Sequence, residues 1–329
     1  MPTTCLITGA TGFVGSHLAE ACRERGWTVR ALARQGSDTA RLIELGVEII
    51  IGDLADNALP PALLEGVDVV FHCAARVGDW GPLADYRVVN VEGLRRLLEA
   101  CRGRPLRRFV DFSTLGVYPA RHHYGTDESA PLPTRHIDGY TQSKLEAEQL
   151  ALEYHRQYGV PVVVLRPGFV YGPRDRTVLP KLIENLRAGT VSYLGSGEQA
   201  LNTIYVGNLV AAALLAAERD GVVGGVYNLT DGKRVSKKQF IDGIADGLGL
   251  ARPKMHLPLW LGQLTAAWME PLARAVGLRK PPPVTQARIK FLGLNLDFSI
   301  DRARRELGYS PPTPFAQALA ETVQWYRQQ

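Results

Sequence analysis

The chain has 329 residues, 46% apolar and 22% charged, the proportions of an ordinary soluble globular protein with room for two domains or one large α/β unit. Its 38 Lys and Arg against 33 Asp and Glu leave a net charge of +5, with no block of consecutive basic residues. The small groups at Arg102, Arg104, Arg107 and Arg108, and at Arg302, Arg304 and Arg305, read as solvated faces, so nucleic acid is not an expected partner.

Residues 3–7 form a short apolar run that predicts a buried strand, and residues 13–25 predict a helix closed by Gly26. Between them lies Thr8-Gly9-Ala10-Thr11-Gly12-Phe13-Val14-Gly15. A strand, a glycine-rich turn and a helix make a phosphate cradle. The turn needs a residue tolerant of positive φ, the backbone must approach the ligand, and the helix N-terminus offers N–H groups and a positive dipole end. Gly9, Gly12 and Gly15 are expected to serve the turn, the close approach and the helix–strand packing. Thr11, Phe13 and Val14 complete the expected dinucleotide surface.

Residues 28–33 predict a second strand ending at Arg34-Gln35-Gly36-Ser37, and residues 47–51 a third, ending at Gly52-Asp53-Leu54. Residues 67–72 predict a fourth strand, residues 83–101 a helix, residues 108–113 a fifth strand, residues 140–158 a long helix and residues 160–166 a sixth strand. Strands alternating with helices imply a parallel sheet covered on both faces. Beyond Arg166 the rhythm loosens, with a helix at 206–219, a short strand at 225–229, an apolar stretch at 257–276 interrupted by Pro271, and a last helix pair at 300–307 and 315–326. The expected fold is α/β, a Rossmann-type doubly wound sheet with a smaller mixed C-terminal substrate region. Residues 1–167 form the dinucleotide-binding domain, to which 201–228 return, and residues 168–200 and 229–329 form the substrate region.

Cys5, Cys22, Cys73 and Cys101 follow no metal-ligand spacing and read as packing thiols in a reducing compartment, so no metal is expected. No signal peptide or transmembrane span is evident, since the longest uncharged apolar stretch, 257–269, is too short. A cytoplasmic location is expected.

The end of the second strand meets the adenosine ribose, where a carboxylate repels a 2′-phosphate. Here Ala33 is followed by Arg34, whose guanidinium can hold a phosphate bidentately. NADP(H) is therefore preferred, with NAD(H) as the alternative, and Ser37 and Arg41 stand ready to help. Asp53 is expected near the adenine amino group and Leu54 along the ring.

Tyr140 and Lys144 share one face of the long helix at i, i+4. A tyrosine of pKa about 10 is a poor base at neutral pH, and a nearby ammonium favours its phenolate. The pair can then exchange a proton with a carbonyl or alcohol oxygen while a nicotinamide exchanges a hydride with the same carbon. Thr114, after the fifth strand, is placed to hold that oxygen.

These pieces together resemble the extended short-chain dehydrogenase/reductases over essentially the whole chain. The matching stretches are Thr8 to Gly15, Asp53-Leu54, His72-Cys73-Ala74-Ala75, Asn90-Val91-Glu92-Gly93, Ser113 to Tyr118, Tyr140 to Lys144 and Leu165-Arg166-Pro167. The resemblance implies that Tyr140 is the acid/base and that Lys144 binds the nicotinamide ribose and tunes it. It makes Thr114 rather than its neighbour Ser113 the catalytic hydroxyl, and Asn90 a tie between helix and loop. Ala74, Ala75 and Pro167 join the implied cofactor surface, and a homodimer is usual among such proteins.

Nucleotide-sugar members of that family place Asn three residues after the arginine ending the sixth strand. Here Phe169 stands there, and a phenyl ring cannot hydrogen-bond a diphosphate. The run from Arg166 to Asp175, with Tyr205-Val206-Gly207-Asn208 and Gly78-Asp79-Trp80-Gly81, is instead similar to the 3β-hydroxysteroid and sterol dehydrogenase branch and to 2-alkyl-3-oxoalkanoate reductases. The implied activity is interconversion of a secondary alcohol and a ketone on a steroid-like or long-chain 3-oxo substrate. A nucleotide-sugar epimerase or dehydratase, and a non-catalytic NAD(P)-binding redox sensor, are the alternatives. Trp80, Val117, Tyr118, Phe169 and Tyr171 are the expected substrate pocket. The apolar residues from Leu257 to Leu272 have three readings: they wall that pocket, rest peripherally on a membrane surface, or pack the second region's own core.

Overall fold

The computed structural model describes residues 2–276, 278 and 280–329, with backbone alone at Arg274. Seven strands form one parallel sheet in the order Val226–Leu229, Val162–Pro167, Arg108–Phe112, Val69–His72, Thr4–Thr8, Thr28–Ala33, Glu48–Ile51. The three strands nearest its middle on one side, Val69–His72, Arg108–Phe112 and Val162–Pro167, are buried at every residue, as strands covered on both faces are. The strand Thr4–Thr8 has Thr28–Ala33 on one side and Val69–His72 on the other. The strand order reverses there, which opens a crevice at the carboxyl ends of these strands.

The helices Phe13–Glu24 and Val206–Glu218 cover one face, packing Leu18, Cys22, Leu209 and Ala213 against Cys5, Ile7 and Val110. The other face is covered by Leu94–Cys101 and Gly139–Tyr158, which set Leu97, Leu98, Ala147 and Leu150 against Leu6, Val70 and Phe109. The single helix expected over 83–101 is in fact three pieces: Leu83–Arg87, a π-helical segment Val88–Gly93, and Leu94–Cys101. The widened turn brings Asn90 inward, and Gly93 lies where a Cβ would stand 2.9 Å from Leu54 Cβ.

After Pro167 the chain builds small pairings around a second core. Phe169–Tyr171 pairs with Thr203–Tyr205, and Tyr193–Leu194 with His256–Leu257. Leu179, Ile183, Phe240 and Ile244 fill the space between. The helix Leu259–Ala275 buries Ala266 and Ala273 but leaves Trp260, Leu264, Trp268 and Leu272 exposed. Leu259 packs against the core at Leu294 and Leu296, and Trp260, Leu264, Trp268 and Leu272 do not fill a core. Among the described residues, no helix is long and apolar enough to cross a membrane.

Candidate active site

The glycine turn has the shape its spacing requires. Gly9 takes φ +71°, and a Cβ there would stand 2.8 Å from the backbone N and Cα of Ala74. A Cβ on Gly15 would lie 2.2 Å from the Gly9 carbonyl oxygen, so the helix can approach the strand this closely only as glycine. Gly12 N donates to Gly9 O at 2.9 Å, and the helix Phe13–Glu24 starts there without a side-chain cap. Its first N–H groups are left for an anion. Thr11, Phe13 and Val14 are partly exposed along this edge, as are Ala74 and Ala75 opposite. Spaces that only glycine fits, beside an uncapped helix start, suit a dinucleotide's pyrophosphate.

At the ends of the strands Thr28–Ala33 and Glu48–Ile51, Arg34, Gln35, Gly36 and Ser37 face Ile51, Gly52, Asp53 and Asp56 across an open groove. Arg34 is exposed, while Arg41 is drawn away onto Glu20 and Glu44. Asp53 accepts from Ala55 N at 2.9 Å through Oδ1. Leu54 departs from expectation: its side chain is in the core with Leu32 and Leu63 and presents almost no surface to a ring. Pro167 is likewise buried at the end of its strand.

Asp138 caps the long helix Gly139–Tyr158, accepting from Thr141 N at 2.7 Å, and so fixes the start of the turn that carries Tyr140. Tyr140 is half-buried, with its ring 6.4 Å from that of Tyr86. Burial, with a smaller contribution from the Asp138 charge, pushes its phenol up to about 12. The expected lowering by Lys144 is not seen. Lys144 is buried, and its positive charge acts on His72, Cys73 and Asp111, on the sheet side of the helix.

Ser113 and Thr114 part company here. Ser113 Oγ donates to Glu148 Oε2 at 2.6 Å in the interior, whereas Thr114 is partly exposed and its Oγ1 accepts from Gly116 N at 3.0 Å. Glu148 also holds Arg166, whose Nη1 donates to the Tyr118 hydroxyl at 2.8 Å. Asn90 accepts from Arg76 N at 2.7 Å and donates to Ser143 Oγ at 2.9 Å, tying the loop after His72 to the long helix.

Three expected pocket residues belong to the interior instead. Val117 and Tyr118 are fully buried, and Tyr118 is bound into the Arg166 network. Tyr171 is fully buried among Tyr205, Phe240 and Phe315. Phe169 and Trp80 keep exposed surface. The Phe169 ring meets Phe240 and Phe291 edge-on at 5.6 and 5.1 Å, and Trp80 Nε1 donates to Leu278 O at 2.9 Å.

Sequence reasoning missed Glu148, Asp111 and Lys290. Glu148 follows Lys144 by the same i+4 step that linked Lys144 to Tyr140. Asp111 was legible as a charge inside an apolar strand. Lys290 carried no local signal: its Nζ donates to Gly116 O at 2.6 Å and Tyr118 O at 2.9 Å, pinning the loop after Thr114 from far along the chain.

The model of the NAD dependent epimerase/dehydratase family matches residues 5–230. A Stigmatella aurantiaca protein named 4-hydroxy-2-methyl-3-oxo-4-farnesyl-3,4-dihydroquinoline-1-oxide ketoreductase is 34% identical, over 95% of this chain and 93% of its own. The Mus musculus sterol-4-alpha-carboxylate 3-dehydrogenase, decarboxylating, is 30% identical over 97% of this chain and 90% of its own. The crystal structure of gox2253 superposes with a TM-score of 0.83 at 32% identity, covering 99% of this chain and 98% of that one.

Proposed function

This chain belongs to the NAD dependent epimerase/dehydratase family and is an NAD(P)-dependent short-chain dehydrogenase/reductase, and from that premise we propose that it interconverts a secondary alcohol and a ketone on an apolar, steroid-like or long-chain 3-oxo substrate. The observation that carries the substrate class is Phe169, an aromatic ring against Phe240 and Phe291 just beyond the sheet's edge. The two relatives act, by their names, on a farnesyl-bearing ketone and a sterol. A hydrocarbon surface favours such ligands over a diphosphate.

Gly9, Gly12 and Gly15, with Thr11, Phe13, Val14, Ala74 and Ala75, would hold the cofactor's pyrophosphate and neighbouring groups. Arg34 supports NADP(H) over NAD(H). When bound, the cofactor supplies or accepts the hydride. Tyr140 keeps its proton at Oη at neutral pH and gives it to the ketone oxygen; in the oxidative direction it takes that proton back. Thr114 Oγ1 orients the same oxygen. Lys144 supplies a donor for the nicotinamide ribose. Residues 1–167, with 201–228, form the cofactor half and the remainder the substrate half; the active unit is a homodimer.

The apolar substrate is met at an anionic lipid surface. Along the helix Leu259–Ala275, Trp260, Leu264, Trp268 and Leu272, with Val276 beyond it, recur every four residues and are all 50–75% exposed. Residues 247–296 carry seven Lys and Arg against one acid, Glu270, which is buried; of the seven, Arg252 is paired with Asp246, Arg288 with Asp79, and Lys290 is turned onto the Gly116 and Tyr118 carbonyls. An apolar stripe with tryptophans in a positively charged segment is the composition of a helix lying in a bilayer interface. The same segment touches the catalytic side through Trp80 and Leu278, and through Arg288 and Asp79 at 2.6 Å. A screen of NADPH and NADH consumption across apolar ketones, with nucleotide-sugars as controls, tests the assignment. Turnover of the sugars alone would reject it.

A further inference from the structure

Thr114 stands between the end of the strand Arg108–Phe112 and a single 3₁₀ turn, Leu115–Val117. Its Oγ1 accepts from Gly116 N at 3.0 Å, which occupies an acceptor of the hydroxyl and leaves its proton for another oxygen. So short a turn has weak hydrogen-bond geometry of its own and leaves carbonyl groups without backbone partners. Gly116 has no side chain to anchor it. Its carbonyl and that of Tyr118 are taken by Lys290 Nζ, at 2.6 and 2.9 Å, from 174 and 172 residues away in sequence. Hydrogen bonds from an ammonium are the stronger kind.

The base from which Lys290 reaches is itself fixed. Its helix, Gln286–Gly293, is capped by Thr285, whose Oγ1 accepts from Arg288 N at 3.2 Å. Arg288 pairs with Asp79 at 2.6 Å, and the Phe291 ring meets that of Phe169 at 5.1 Å. Asp138, the acid whose charge reaches Lys290, is already used as the cap of the long helix. Resting on the role given above to Thr114, we propose that Lys290 is a positioning residue: by holding the Gly116 and Tyr118 carbonyls it fixes the turn whose Gly116 N–H orients the Thr114 hydroxyl toward the reacting oxygen. The substrate half of the chain thereby sets a group of the cofactor half. Burial lowers the ammonium to about 8, and the neutral amine still carries two N–H groups, one for each carbonyl. The tie therefore holds across the neutral range.

The test is a double-mutant cycle of Lys290→Met and Thr114→Ala, read by steady-state kinetics on one apolar ketone at pH 7, with NADPH affinity by fluorescence and the melting temperature alongside. Lys290→Met alone should lower kcat by about tenfold, a part of what the oriented hydroxyl supplies, with KM and NADPH affinity within about threefold of wild type. In the Thr114→Ala background the same substitution should cost less than about twofold, because groups that act as a unit are not additive. In the Thr114→Ser background the cost of about tenfold should return. A residue that only supports the fold would slow every background alike. Equal losses in all three, a loss confined to KM, or NADPH affinity falling together with kcat would overturn the proposal. Lys290→Gln carries the same cycle if Lys290→Met does not fold; failure of both to fold would assign Lys290 to the fold alone and overturn it too. Thr114→Ala at wild-type kcat would remove the reading of Thr114 and this proposal with it. A slow Thr114→Ala whose loss adds to that of Lys290→Met would remove only the role of Lys290.

Discussion

Ser113 donates its hydroxyl proton to Glu148 Oε2 at 2.6 Å, inside the protein and 35 residues away in sequence. That bond separates it from Thr114, the next residue, which keeps exposed surface. Thr114→Ala should lower kcat by about a hundredfold, the usual effect of removing one oriented donor from a reacting oxygen, and Thr114→Ser should restore most of it. Ser113→Ala should instead cost about 1–3 kcal/mol of stability, because a buried carboxylate loses a donor. Steady-state kinetics and thermal melting of the three variants check this; a Ser113 variant with the larger kinetic defect would reverse the assignment.

Arg34 is exposed beside an open groove, while Arg41 is held by Glu20 and Glu44. Arg34→Ala should reduce kcat/KM for NADPH by about ten- to a hundredfold, the worth of a charged hydrogen bond, and leave NADH nearly unchanged. Equal losses with both cofactors, or a clear NADH preference in the wild type, would remove the basis for NADP(H).

The stripe of Trp260, Leu264, Trp268 and Leu272 should carry the protein onto vesicles. Co-flotation is expected with phosphatidylcholine vesicles containing about one-third phosphatidylserine, weaker without the anionic lipid and weaker at high salt. Replacing Trp260 and Trp268 together by Ser should abolish flotation without lowering the melting temperature. Absence of flotation, with a concentration-dependent dimer that the double variant loses, would assign the stripe to a second copy of the chain.

In the proposed mechanism the Tyr140 phenol, pushed up to about 12 by burial, is expected to set the pH dependence. Reduction uses the protonated form and should be flat between pH 7 and 9. Oxidation needs the deprotonated form and should rise by about tenfold per pH unit over the same range. Initial rates in both directions decide it; an oxidation rate independent of pH would exclude this phenol as the proton acceptor.

Local pattern carried most of the fold. The runs at 4–8, 69–72, 108–112 and 162–167 became parallel strands because each is mostly apolar and can be covered on both faces, Arg108, Asp111 and Arg166 being the charged exceptions. The glycine spacing was legible as a tight turn because that geometry depends on missing Cβ atoms within a few residues. What the sequence concealed was which side of an element a residue faces and what meets it from far away. Tyr118 and Tyr171 look like pocket aromatics, yet Arg166 and a ring of aromatics take them into the interior. Lys144 looked like the partner of Tyr140, but its charge lies with groups on strands 30 or more residues away. The late apolar stretch was ambiguous because burial, membrane contact and pocket lining use the same residues.

The most direct measurement is turnover of an apolar ketone by Tyr140→Phe, with NADPH affinity measured on the same preparation. The phenyl ring keeps the packing against Tyr86 and removes only the hydroxyl group. The account predicts a fall in kcat of about 10²–10⁴, the contribution of a general acid, with cofactor affinity within about threefold of wild type. Wild-type turnover in that variant would contradict it.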